Sequence, residues 1–179
     1  TVFFEQLELP TPEHHLGVGS GTHGEQTAEM LVGVEQIIRE EEPEVVLVQG
    51  DTNSVLAGAL ATSKREIDLG HIEAGLRSFD RSMPEETNRV VTDHVGDYLF
   101  APTEQSAVYL RNEGVTEERI HVTGNTVVDA VEQNRELARQ KSTVLNDLEL
   151  EANEFALLTA HRAENVDNED QFRDLLTGV

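Results

Sequence analysis

Four short stretches gather residues that could do proton-transfer or anion chemistry: QGDTNS (49–54), GHIEAGLRS (70–78), PEETNR (84–89) and TAHRAEN (159–165). The second and third hold Glu73 and Glu85 about a dozen residues apart. Two carboxylates at one site can be held in different protonation states, which suits acid/base work on two faces of a substrate. Glu73 stands just before an Ala-Gly turn, where burial and neighbours can tune it for proton transfer. Asp51 follows a β-branched run, and the residues after it can open a helix whose free N–H groups favour an anion. His161 and Arg162 follow another apolar run and are candidates for phosphate contacts or a general acid. Arg77 and Arg89 can pair with carboxylates or with phosphate.

Each stretch also has a plain structural reading. Asp51 could cap the following helix. Glu73 and Arg77 could form an ion pair. Glu85 and Glu86 complement the dipole of a helix opening at Pro84, and Glu85 and Arg89 are spaced i,i+4 on one face. A single cluster would not decide between these readings. Several clusters that all fall at strand ends favour a site.

The elements that must position these residues follow a βα rhythm. Met30, Val34, Ile37 and Ile38 repeat at helical spacing over 24–41, and Pro43 ends that helix. EVVLVQG (44–50) reads as a buried parallel strand. Residues 53–65 read as a helix, 67–72 as a strand and 84–94 as a helix. Strands follow at 97–103 and 119–122, with a helix at 103–113 between them. TGNTVVDAV opens a longer helix at 123–131. EFALLTAH (154–161) reads as a further strand, with a helix from about 168. This order predicts an α/β fold with a doubly wound, parallel, Rossmann-like sheet. Ligands of such sheets sit beyond the carboxyl ends of the strands, which is where Asp51, His71 with Glu73, Thr103 with Glu104, and His161 fall.

Composition narrows the function classes. Thirty-five acidic residues face 13 basic ones, for a net charge of −22, and only Lys64 and Lys141 are lysines. An acidic surface that avoids lysine reads as adaptation to high salt, where self-repulsion is screened. The same charge disfavours nucleic acid as a partner. No run approaches the roughly 18 apolar residues of a membrane span. The opening TVFFEQLELP has neither a basic n-region nor a small-residue cleavage site, so a cytoplasmic protein is expected. With no cysteine there is no thiolate chemistry. His14, His15 and His23 lack metal-ligand spacing, so no metal is expected. GVGSGTHG (17–24) falls short of a dinucleotide fingerprint.

VLVQGDTNSVLAGALA, GHIEAGLRSFDRSMPEETNRVVTDHVGDYLFAPTEQS, RIHVTGNTVVDAV and LLTAHRAEN, in this order, resemble the non-hydrolysing UDP-N-acetylglucosamine 2-epimerases. The resemblance runs from about residue 17 onward. It implies two Rossmann-like domains arranged as in the glycosyltransferase-B fold, with the site in the cleft between them. It implies interconversion of UDP-N-acetylglucosamine and UDP-N-acetylmannosamine, without metal or other cofactor, through anti elimination of UDP, a bound glycal and re-addition with inversion at C2. Asp51, Glu73 and Glu85 then match the family's acid/base carboxylates. His161 matches the histidine that contacts the diphosphate and assists UDP departure. Arg89 matches a site arginine, and Arg77 and Arg162 are further candidates for substrate contact.

By the same resemblance, residues 1–140 would be most of the first domain, 141–153 a connection and 154–179 the start of the second. An initial strand with a G-T-R-P-E turn would be missing. The isolated chain is therefore expected to be inactive and poorly stable, and the complete protein to be a homodimer. The alternatives are a hydrolysing 2-epimerase, which releases free N-acetylmannosamine, and a non-catalytic sugar-nucleotide-binding paralogue.

Overall fold

The computed structural model describes residues 2–151, 153–159 and 168–178. Among these, residues up to 134 form one compact unit and residues from 135 a second.

The first unit begins with a short helix, α1 (Val2–Gln6), and then α2 (His23–Glu41). A reciprocal capping box starts α2: the Glu25 N–H donates to the Thr22 hydroxyl and the Thr22 N–H donates to the Glu25 carboxylate. Glu42, in the left-handed region at φ 45°, ends the helix just before Pro43. Four strands then alternate with helices: β1 (Val45–Gln49), α3 (Asn53–Thr62), β2 (Asp68–Ile72), α4 (Pro84–Val95), β3 (Tyr98–Ala101), α5 (Glu104–Asn112) and β4 (Ile120–Val122). A single 3₁₀ turn at Glu117–Arg119 leads into β4. The helix α6 (Thr126–Lys141) follows.

All the pairings are parallel and the strand order is β1-β2-β3-β4. Right-handed crossovers that step in one direction put every connecting helix on the same face of the sheet. The core agrees with this. Val48 and Leu69 pack with Val55 and Ala59 of α3, and Leu99, Ala101 and Ile120 pack with Ala107 and Leu110 of α5. Val45, Leu47 and Tyr98 project from the opposite face and are exposed. The small residues of α3 bring it close to the sheet, since a Cβ on Gly58 would lie 3.0 Å from Val48 Cγ1. These elements agree with the sequence reading to within one to three residues at most ends.

The second unit contains the end of α6, then α7 (Val144–Asp147) and α8 (Glu169–Thr177), whose N-cap Asn168 accepts from the Asp170 and Gln171 N–H groups. The helix expected from about 168 is present. The strand expected at 154–161 is not formed by its described part: residues 155–159 carry no strand pairing. An apolar run becomes a strand only when a neighbouring strand satisfies its backbone groups. None does so among the described residues. No described helix is long and apolar enough to cross a membrane.

Candidate active site at the strand ends

In a parallel sheet every carboxyl end lies on the same edge. The register Gln49↔Ile72 and Ile72↔Phe100 brings the turns after β1, β2 and β3 together there. The Gly50 N–H donates to the Ile72 carbonyl at 3.1 Å and the Ala74 N–H to the Phe100 carbonyl at 3.1 Å, which extends the ladder into the turns. Asp51 and Glu73 both leave the sheet at this edge. Glu73 Oε2 lies 4.0 Å from where a Cβ on Gly50 would sit, so its carboxylate stands beside the Gly50–Asp51 turn. Glu73 adopts φ 73°, a region that non-glycine residues seldom occupy.

The helix α4 runs behind these turns, and its buried residues are all polar: Glu86, Asn88, Thr92 and Asp93. Pro84 opens it at the first turn, with Glu85 and Glu86 in the same turn. Arg89 reaches across to Asp51. Its Nε and one terminal nitrogen donate to Asp51 Oδ2 at 3.0 and 2.7 Å, and the other terminal nitrogen donates to Glu86 at 2.8 Å. The expected i,i+4 partnership of Arg89 with Glu85 is therefore replaced by an i,i+3 pair with Glu86 and a bridge to Asp51. Burial would lower the basicity of Arg89, but Asp51 and Glu86 outweigh it and raise its pKa. Asn88 adds a further tie, donating to the Asp51 carbonyl at 2.8 Å. Thr52 stands at the N-cap of α3 without a side-chain capping bond.

Glu86 is 2% exposed. Burial pushes its carboxyl up. Donation from the Ser78 N–H, Arg89, the Ser78 hydroxyl and the Phe79 N–H more than offsets this and holds it at about 2. Its chemistry is that of a fixed anion that clamps the loop before α4 and orients Arg89. It has neither the access nor the proton affinity of an acid/base catalyst. Glu73 and Glu85 differ in kind. Both are half-buried, and among the described residues neither carboxylate has a hydrogen bond or ion pair. Asp51 is intermediate, with a side chain 32% exposed and one oxygen held by Arg89.

Arg77 departs from expectation. Its side chain is 1% exposed and pairs with Asp93 at 2.7 Å and bidentately with Glu113 at 2.8 and 2.6 Å, not with Glu73. Burial opposes its charge, but Glu113 and Asp93 raise its pKa. With its nitrogens taken up by these two carboxylates and by the Leu76 carbonyl, it holds the loop together. His161 and Arg162 lie outside the described residues.

Sequence reading placed His71 beside Glu73 at a strand end without giving it a role, and it did not single out Glu86 or Asp93 as parts of this arrangement. Their signal is present: Glu86, Arg89 and Asp93 repeat at i, i+3 and i+7, so a single stripe of α4 carries three charges. A recess of about 480 Å³ opens nearby between the first turns of α2, α3 and α4, lined by His23, Asn53 and Asn88 among others. Asp51, Glu73 and Glu85 do not line it. No group of three or more described His, Asp or Glu residues is placed to hold a metal ion.

The UDP-N-acetylglucosamine 2-epimerase family profile matches residues 1–179. A UDP-N-acetylglucosamine 2-epimerase of Methanocaldococcus jannaschii is 53% identical over 99% of the chain and 49% of its own length. A UDP-2,3-diacetamido-2,3-dideoxy-D-glucuronate 2-epimerase of Pseudomonas aeruginosa is 46% identical over 93% of the chain and 46% of its own length. The crystal structure of the M. jannaschii UDP-GlcNAc 2-epimerase in complex with UDP-GlcNAc and UDP superposes with a TM-score of 0.88 at 54% identity, covering 99% of this chain and 49% of that one. The chain thus spans about half the length of the curated relatives it matches. Its parallel sheet with flanking helices is part of the doubly wound, glycosyltransferase-B-like fold of these enzymes. The chain belongs to the UDP-N-acetylglucosamine 2-epimerase family.

Proposed function

We propose that the complete gene product interconverts UDP-N-acetylglucosamine and UDP-N-acetylmannosamine. The observation that carries this reading is the pair of uncommitted carboxylates, Glu73 and Glu85, on the elements flanking the Asp51–Arg89 bridge. Inversion at C2 requires a base on one face of that carbon and an acid on the other. In the forward direction one carboxylate takes the C2 proton. The C2–H electron pair forms the C1=C2 bond while the C1–O bond to UDP breaks, leaving a 2-acetamidoglycal and UDP. In the second half UDP re-forms the C1–O bond and a proton arrives on the opposite face of C2. Asp51, Glu73 and Glu85 supply this acid/base set. Arg89 fixes the position of the Asp51 side chain through its two hydrogen bonds.

By the resemblance of the TAHRAEN stretch, His161 and Arg162 are assigned to the departing diphosphate; separately, the first turn of α3, whose N-cap Thr52 makes no side-chain capping bond, has N–H groups that favour an anion. Arg77 acts through the loop it braces and does not touch substrate. Residues 1–140 are assigned to one Rossmann-like domain and 154–179 to the start of another. A homodimer in a salt-rich cytoplasm completes the reading, consistent with the net charge of −22 and the scarcity of lysine.

Product analysis tests it. Purified gene product incubated with UDP-N-acetylglucosamine should yield UDP-N-acetylmannosamine at a fixed equilibrium ratio, reached from either side. Release of free N-acetylmannosamine and UDP would assign the hydrolysing reaction instead. The Pseudomonas relative motivates one comparison, since it is named for a 2,3-diacetamido glucuronate. Faster turnover of that sugar nucleotide would keep the C2 chemistry and replace the sugar.

A further inference from the structure

His71 and Asp93 take no part in the chemistry above, yet both are fully buried beside the turn that carries Glu73. His71 Nε2 donates to the Gly50 carbonyl at 2.8 Å, and Nδ1 lies 2.6 Å from Asp93 Oδ1. The other oxygen, Asp93 Oδ2, accepts from the Gly75 N–H at 3.1 Å and from Arg77 at 2.7 Å. A carbonyl only accepts, so Nε2 is a donor, and Nδ1 and Asp93 Oδ1 share a hydrogen bond on the other side of the ring. One imidazole and one carboxylate thereby reach the turn after β1, the turn after β2 and the helix α4.

We propose that His71 and Asp93 are positioning residues that fix the Glu73 turn against the Asp51 turn. The inference rests on the functional reading above. Glu73 at φ 73° is a strained conformation for a residue with a Cβ, and such strain persists where surrounding contacts over-determine it. Here the contacts are identifiable. Ala74 is held by the Phe100 carbonyl and Gly75 by Asp93, while the Gly50 carbonyl is held by His71. Apolar side chains of similar size would fill the same space, and replacing a buried ionic group by well-packed apolar residues is often neutral or stabilising. They could not bond the Gly75 N–H or the Gly50 carbonyl. Maintaining the spacing of two carboxylate-bearing turns is the task that only the polar pair performs.

The test uses Asp93→Asn in the complete gene product, with Glu113→Gln as a control. Glu113 holds the far side of Arg77 and touches neither turn. A displacement of about 1 Å at a reacting group can cost about 100-fold in rate. Asp93→Asn should therefore lower kcat by about that factor while KM for UDP-N-acetylglucosamine changes less than about twofold. Glu113→Gln should lower the thermal midpoint and leave kcat of the folded protein unchanged. Equal kcat for Asp93→Asn and wild type, or kcat losses that track the thermal midpoint in both variants, would overturn the proposal.

A measurement on wild type covers the case in which Asp93→Asn does not fold. The Gly75 amide should exchange with solvent as slowly as the β2 amides, and exchange at the rate of an open loop would overturn it. If wild type fails to epimerise, the functional reading falls, and the Gly75 exchange rate still judges the positioning role separately.

Discussion

At the residue scale, three glutamates within 14 positions do different things because their surroundings differ. Glu73 and Glu85 are partly exposed and, among the described residues, unpaired. Glu73→Gln and Glu85→Gln should each reduce kcat by about 10²- to 10⁴-fold with UDP affinity nearly unchanged, checked by steady-state kinetics and calorimetric titration. Glu86 is a buried anion with four donors, and Glu86→Gln should cost about 1–3 kcal/mol of stability. Its folded carboxyl, at about 2, lies below its ordinary value of 4.5. A depressed carboxyl stabilises the fold above the unfolded value, and that contribution is lost as pH falls through the folded one. The gap in thermal midpoint between wild type and Glu86→Gln should thus be full above about pH 5 and shrink toward pH 2. A gap independent of pH would remove the charge from the explanation. From sequence alone, Glu85 and Glu86 were interchangeable first-turn acids. The resemblance pointed to Glu85, and the loop at Ser78 and Phe79, folded back over α4, commits Glu86 to a structural role.

At the element scale, the strands and helices of the first unit were readable because each carries a local signal: β-branched runs ending at glycine, Pro84 at a first turn, Pro43 after a helix. What was not readable is long-range. Arg77 finds Glu113, 36 positions away, together with Asp93 and not Glu73, and Arg89 adds Asp51, 38 positions away, to its i,i+3 partner Glu86. Sequence spacing proposes i,i+4 pairs, whereas a crossover brings distant carboxylates closer. Residues 155–159 show the converse, since an apolar run with no neighbouring strand among the described residues forms no strand. The turn after β2 is a tight point of the architecture. Gly75 sits at φ 77°, and a Cβ there would collide with the Ser106 carbonyl oxygen. Gly75→Ala combines a left-handed conformation that costs about 1–2 kcal/mol with that collision. It should lower both thermal stability and kcat, whereas Gly114→Ala, also at positive φ but with open space around it, should lower stability alone.

At the scale of the whole molecule, a net charge of −22 must be accommodated before any anionic substrate can approach. Screening shortens the reach of charge from about 10 Å at 0.1 M salt to about 3 Å at 1 M. Raising potassium chloride across that range should increase the thermal midpoint and lower KM for the sugar nucleotide, and a flat or falling midpoint would remove the case for a salt-adapted surface. Against that background, the N–H groups at the α3 N-terminus are a local device that favours an anion within a repulsive field. The central claim is that the strand-end carboxylates move a proton at C2 of a UDP-sugar. It is tested most directly by incubating the complete gene product with UDP-N-acetylglucosamine in heavy water at molar potassium chloride and following C2 by NMR. Deuterium should appear at C2 in both epimers, and Glu73→Gln or Glu85→Gln should abolish its entry or slow it at least about 100-fold. Tight nucleotide-sugar binding without C2 exchange in the wild type would contradict that claim and leave these carboxylates as binding groups alone.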